Sequence, residues 1–155
     1  MKANILRIYT DGACAGNPGP GGWGVMLQYG SNIKEIFGHE LQTTNNRMEI
    51  KAAIEALRTL KTCTCDIEIY TDSKYVQLGI TQWIHKWIKN NWCTTTNKLV
   101  KNSDLWQQLY LELGKYNNIT WHWVRGHSNN IGNEIADRLA NQGKEMAIRV
   151  LKCQH

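Results

Sequence analysis

The feature that most limits the fold is a change of period along the chain. From Asn46 onward Ile50, Ala53, Ile54, Leu57 and Leu60 recur three or four residues apart, the spacing of one apolar helix face. What precedes that point reads as strand. Residues 5–10 mix apolar and β-forming types and lead into the cluster Gly16-Asn17-Pro18-Gly19-Pro20-Gly21-Gly22, which breaks regular structure. Residues 23–29 and 33–41 read as two further strands, joined at the hairpin signal Gly30-Ser31-Asn32. After the helix, Ile67-Glu68-Ile69-Tyr70-Thr71 alternates as a fourth strand and Asp72-Ser73 offers a helix start. Short helices, a helix over 103–114, a fifth strand over 119–124 and a closing helix over 132–144 complete the order. Such an order builds an α/β fold: a five-stranded mixed sheet, an antiparallel meander continued by parallel strands, flanked by helices. Residues 146–155 are expected to form a flexible tail.

The 155 residues suit one domain spanning 1–155, and a chain of that size buries roughly 70% of its unfolded surface. Two Pro and 13 Gly exclude collagen-like and Pro-rich disordered chains. No run of about 18 apolar residues is present, and Met1-Lys2-Ala3-Asn4-Ile5 has neither the apolar stretch nor the cleavage site of a secretory signal. A cytoplasmic chain with no membrane partner is expected. Cys14, Cys63, Cys65, Cys93 and Cys153 are then read as reduced thiols. Cys63 and Cys65 lack the second Cys/His pair that zinc needs, so solvated loop thiols are expected there.

The net charge of +5 is unevenly placed. No acid lies between Asp72 and Asp104, a window that holds Lys74, Lys86, Lys89, Lys98 and Lys101 with Trp83, Trp87 and Trp92, and Trp106 just beyond. Lysines bind phosphates through counterion release and indoles stack on bases or sugars. A solvated helix face over core tryptophans explains the same pattern. The segregation points to a polyanion and to no particular chemistry.

Four acids stand on elements that otherwise bury apolar groups: Asp11 at the end of the first strand, Glu49 in the first turn of the first helix, Asp72 after the fourth strand and Asp137 in the final helix. Each has an ordinary reading. Asp11 is a turn former, Glu49 the partner of Asn46 in a capping box, Asp72 a helix cap, and Asp137 the partner of Arg138. Together they read differently. If the first and fourth strands are parallel neighbours, Asp11 and Asp72 emerge at one sheet edge, where α/β folds place ligands. Carboxylates gathered there repel unless a cation neutralises them. Their hard oxygens select Mg²⁺ or Mn²⁺ over zinc, and two such ions about 3.5–4 Å apart suit phosphodiester hydrolysis.

At this point the residues match a family. The chain resembles the type 1 ribonucleases H, bacterial ribonuclease HI in particular, over nearly its whole length. The resemblance rests on Tyr-Thr-Asp-Gly-Ala-Cys at 9–14, Gly-Asn-Pro-Gly-Pro-Gly-Gly at 16–22, Thr-Thr-Asn-Asn-Arg-Met-Glu at 43–49 and Thr-Asp-Ser at 71–73. It continues in Gly-Ile-Thr-Gln-Trp-Ile-His at 79–85, Val-Lys-Asn at 100–102, Trp-Val-Arg-Gly-His-Ser at 123–128 and Gly-Asn-Glu-Ile-Ala-Asp at 132–137. The resemblance implies the ribonuclease H-like fold and hydrolysis of the RNA strand of RNA/DNA hybrids by two Mg²⁺ ions, with Mn²⁺ a substitute. The implied products carry 5′-phosphate and 3′-hydroxyl ends, and the implied roles are removal of RNA primers and R-loops by a monomer.

Residue by residue, the resemblance makes Asp11, Glu49, Asp72 and Asp137 the metal-binding carboxylates, with Asp11 shared between the ions. It makes His127, in a Gly-bearing loop, an aid to proton transfer or product release, a task suited to a side chain with a pKa of roughly 6.5. Cys14, Asn17, Asn46 and Gln77 correspond to minor-groove contacts, where RNA is told from DNA at the 2′-hydroxyl. Thr44, Asn45 and Asn102 correspond to donors for a DNA-strand phosphate. Trp83, Lys86, Trp87, Lys89, Lys98 and Lys101 correspond to a basic helical protrusion at about 82–101. The sequence departs from the family there, because Ile88, Asn90, Asn91, Cys93 and Leu99 occupy a stretch often richer in Lys and Arg. A hybrid-binding module without catalysis, and a ribonuclease H domain excised from a reverse transcriptase, are the competing readings. Integrases and transposases share the wider fold but lack the Gly-His-Ser loop and the protrusion.

Overall fold

The computed structural model describes residues 4–61, 65–126 and 129–154. Strands β1 (Ile5–Cys14), β2 (Gly19–Tyr29) and β3 (Asn32–Thr43) form the meander, followed by helix α1 (Asn45–Thr59) and strand β4 (Asp66–Thr71). Helix α2 (Lys74–Leu78), a single π turn at Gly79–Trp83 and helix α3 (Ile84–Lys89) run on without a break. Helix α4 (Ser103–Leu113), strand β5 (Ile119–Trp123) and helix α5 (Ile131–Cys153) complete the chain. The five strands make one sheet in the order β3-β2-β1-β4-β5. β1, β2 and β3 pair antiparallel, while β1 with β4 and β4 with β5 pair parallel, the mixed sheet expected.

Alternation along the strands splits the sheet into two faces. Leu6, Ile8, Val25, Leu27, Ile67 and Ile69 bury one face against Ile50, Ala53, Ile54 and Leu57 of α1, with Leu105, Trp106 and Leu109 of α4 in the same core. The opposite face of β1, β2 and β3 carries α5. Trp106 is fully buried, so it is a core residue and not a stacking surface.

Two boundaries and the state of one cysteine differ from the sequence reading. β1 runs through Asp11 to Cys14 because it stays paired with β2 opposite Gly21, Gly22 and Gly24, although its pairing with β4 stops at Thr10↔Thr71. α5 continues past Lys144 to Cys153, so 146–153 is helix and not a tail. Gly143 and Ala147 are buried there, which keeps the last turns on the sheet. Finally, Cys65 is disulfide-bonded and packs half-buried against the core, contrary to the expectation of a solvated, reduced thiol. Cys63 lies outside the described residues. Cys14, Cys93 and Cys153 are free.

Candidate active site

Two glycines decide what gathers around Asp11. Gly24 is its partner across the β1–β2 ladder, and a Cβ at Gly24 would stand 2.5 Å from Ala136 O and Ala140 N of α5. Only a residue without a side chain lets α5 approach so closely, and Asp137 follows Ala136. On the other side of Asp11, a Cβ at Gly12 would stand 2.6 Å from the backbone N of Glu49. The first turn of α1 therefore rests on the β1 backbone and brings Glu49 with it. Asp72 arrives by register: the parallel ladder ends at Thr10↔Thr71, so the next residue of each strand is a carboxylate. Below them Tyr9 and Tyr70 stack with ring centroids 4.7 Å apart and form the floor.

Asp11, Glu49 and Asp72 each offer an oxygen to a cluster whose atoms lie within 4.8 Å of one another. Asp11 and Glu49 are buried, and the Asp11 carboxyl interacts with the side chains of Glu49, Asp72 and Asp137. Asp11 is raised from 3.8 to about 8, first by burial and then by the charge of Asp72. Glu49 is raised well above 4.5 by burial and by the charges of Asp11 and Asp72. In this state the cluster favours protons, because like charges in a poorly solvated place disfavour ionisation. Glu49 Oε1 is buried with no hydrogen-bond partner. An orphaned carboxylate oxygen among acids fits a divalent cation with oxygen preference.

The ordinary roles of these acids are taken by other residues. Thr44, not Asn46, caps α1, its Oγ1 accepting from Arg47 N at 3.2 Å, which leaves Glu49 free to turn inward. Ser73 caps α2 through Val76 N, which relieves Asp72 of that task. Arg138 pairs with Glu35 at 2.8 Å and not with Asp137. Asp11 does accept from Gly12 N at 2.9 Å, the one local bond of the expected kind.

Beside the carboxylates lies a polar ledge. The Cys14 thiol donates to Thr43 O at 3.4 Å and Gly19 O at 3.5 Å, and Asn45 N donates to Asn17 Oδ1 at 2.7 Å. These bonds join the Gly/Pro loop to the start of α1, so Cys14, Asn17, Thr44, Asn45 and the exposed Asn46 form one surface. Asn102 is tied to it from α4. Its Oδ1 accepts from Arg47 Nη1 at 3.2 Å and its Nδ2 donates to Tyr75 Oη at 3.1 Å, while Arg47 forms a bidentate pair with Asp104 at 3.0 and 2.7 Å. Sequence reasoning missed Arg47, Asp104 and Tyr75, since Arg47 and Asp104 are separated by 57 positions and no local pattern joins them. Gln77 is half-buried on α2 and shares no hydrogen bond with the ledge among the described residues. His127 lies outside the described residues.

In the protrusion, Trp83, Trp87 and Trp92 are neighbours, with centroids 5.9 and 6.4 Å apart, and Trp87 reaches Trp106 at 5.3 Å. The indoles therefore fasten α3 to the core. Lys86, Lys89, Lys98 and Lys101 are exposed and form no ion pair among the described residues.

The mixed sheet between α1 and α5, with acids at the end of β1 and β4, defines the class: an α/β protein of the ribonuclease H fold. Comparison with known proteins agrees. The RNase H family model matches residues 3–145. The chain is 68% identical over 154 residues, 99% of each chain, to the ribonuclease H of Rickettsia felis. It is 64% identical over 153 residues, again 99% of each, to the ribonuclease HI of Rickettsia prowazekii. Among solved structures it superposes on LC9 ribonuclease H, a type 1 enzyme with the type 2 active-site motif, with a TM-score of 0.82 and 31% identity, covering 95% of this chain and 75% of that one. LC11 ribonuclease H, solved with an RNA/DNA hybrid, has a TM-score of 0.70 at 24% identity, covering 92% and 99%, and so shares the fold. The chain belongs to the RNase H family, as a ribonuclease H enzyme of the bacterial type 1 group. The reading as a non-catalytic module is set aside.

Proposed function

We propose that this enzyme hydrolyses the RNA strand of RNA/DNA hybrids with the help of two divalent ions, Mg²⁺ or Mn²⁺, leaving 5′-phosphate and 3′-hydroxyl ends. The observation that carries the proposal is the buried, unpartnered Glu49 Oε1 within the Asp11–Glu49–Asp72 cluster. Asp11, at the centre, would be shared by both ions, with Glu49 and Asp72 completing one each and Asp137 assisting on the side of the attacking water. When bound, the ions lower the pKa of water and stabilise the leaving oxygen. Water adds to phosphorus as a base takes its proton, the bond to the 3′ oxygen breaks, and that oxygen takes up a proton. The phosphate stays on the 5′ end. His127 is the proposed proton carrier.

The ledge of Cys14, Asn17 and Asn46, with Gln77, would read the 2′-hydroxyl in the minor groove. Thr44, Asn45 and Asn102 would grip a DNA-strand phosphate, and Trp83, Trp87 and the four exposed lysines would hold the duplex from the protrusion. LC11 ribonuclease H, of the same fold, has been captured with an RNA/DNA hybrid, which supports this substrate class. No helix among the described residues is long and apolar enough to cross a membrane; we place the enzyme in the cytoplasm, as a monomer. Labelled RNA/DNA, RNA/RNA and DNA/DNA duplexes, each with Mg²⁺ and with chelator, test the reading on one gel. Only the RNA strand of the hybrid should be cut, and only with the ion. Equal cutting of RNA/RNA, or cutting in chelator, refutes it.

A further inference from the structure

We propose that Lys74 is an additional contact for a phosphate of the RNA strand, held in place by the indole of Trp123 at the mouth of the carboxylate pocket. The inference rests on the hybrid-cleavage reading and adds a cation that the sequence presents only as one lysine in an acid-free window.

The argument begins with chain geometry. Asp72 follows the last residue of β4, Ser73 caps α2, and Lys74 is the first residue of that helix. Two peptide links put its Cα within about 7.6 Å of that of Asp72. Trp123, the last residue of β5, touches both. Its Nε1 donates to the backbone oxygen of Asp72 at 3.1 Å, and its ring lies under Lys74 Nζ with the centroid 4.1 Å away. One indole therefore fixes the position of the strand end that carries a carboxylate and of an ammonium group beside it.

The kind of partner matters. An ammonium paired with a carboxylate is largely neutralised, as Lys115 is by Glu112 at 3.1 Å. An ammonium on a ring face keeps its full charge and its N–H donors, and its long side chain is already ordered. Lys74 is exposed and makes no ion pair among the described residues. It is thus a charged, oriented and unneutralised donor beside the strand end that carries Asp72. A positive charge there draws a phosphate towards the pocket during approach. Among the described residues the protrusion lysines Lys86, Lys89, Lys98 and Lys101 lie over no ring.

The test is the salt dependence of binding of a labelled RNA/DNA hybrid in chelator, where no cutting occurs, for wild type, Lys74→Gln, Lys74→Arg and Trp123→Leu. Removing one phosphate contact should lower the slope of log affinity against log salt by about one and weaken binding about three- to tenfold at low salt. Lys74→Arg should restore the slope. Trp123→Leu should weaken binding while keeping the slope, since the charge remains and only its restraint is lost. A single uncharged methylphosphonate in the RNA strand beside the cut site should erase the difference between wild type and Lys74→Gln. A slope for Lys74→Gln equal to that of wild type, or a difference erased only by a methylphosphonate in the DNA strand, overturns the proposal while hybrid cleavage stands. A wild-type chain that neither binds nor cuts the hybrid overturns the cleavage reading, and this proposal with it.

Discussion

The carboxylate pocket is assembled by backbones in contact, whereas the protrusion at 82–101 is assembled by indoles in contact and presents its lysines to water. In the pocket, α1 rests on Gly12 and α5 on Gly24, so the acids they carry have little freedom. In the protrusion, Trp83, Trp87 and Trp92 anchor α3 while Lys86, Lys89, Lys98 and Lys101 are exposed and unpaired among the described residues. The contrast teaches that the two regions should fail differently. Substitutions in the pocket act through geometry and cost whole factors of turnover. Substitutions in the protrusion act through charge and should add up in small steps.

The largest expected effect is that of Asp11→Asn. Losing the shared ligand removes several kcal/mol of charge stabilisation, so metal-dependent turnover should fall at least about a thousandfold, with hybrid binding retained. Near-normal turnover in a single-turnover assay would break the contrast at its root. His127→Ala should come next, slowing turnover about a hundredfold, as loss of a proton carrier does, with residual activity. Complete loss would give that side chain a heavier role than proton transfer. Gly24→Ala tests the backbone contact itself. Its methyl would meet Ala136 O at 2.5 Å, so chemical denaturation should reveal a loss of about 1–3 kcal/mol, and turnover should fall as Asp137 is displaced. Leu99→Lys is the smallest. Leu99 is 66% exposed, so an added charge should leave stability unchanged, tighten binding a few-fold and raise the salt slope by about one. Wild type itself should show a slope of no more than about five phosphate contacts.

The sheet and the two main helices were legible because their burial patterns have a clear period: Ile67, Ile69 and Thr71 alternate, and Ile50, Ala53, Ile54 and Leu57 repeat at helical spacing. The juxtaposition of Asp11 and Asp72 followed from parallel pairing alone. Other features left no local trace. The Arg47–Asp104 clamp joins two helices, and its partners are ordinary charged residues at each end. The continuation of α5 past Lys144 to Cys153 is one of these, and Gly143 within it is required by the nearness of Gly38, whose carbonyl oxygen a Cβ at 143 would strike. The tryptophans could not be sorted from sequence, since an indole that fastens α3 and an indole that stacks on a base have the same sequence signature.

The claim on which the rest depends is that the buried acids form a cation site, and thermal melting tests it without any substrate. Because Asp11 is raised from 3.8 to about 8, its folded form holds a proton that the unfolded chain has lost. Its contribution is fully present below pH 3.8 and is lost as pH rises through about 8. In chelator, wild type should therefore lose stability relative to Asp11→Asn between about pH 4 and pH 8. At pH 8, added Mg²⁺ should raise the melting temperature of wild type and have far less effect on Asp11→Asn. Equal responses of the two proteins to Mg²⁺ would contradict the account.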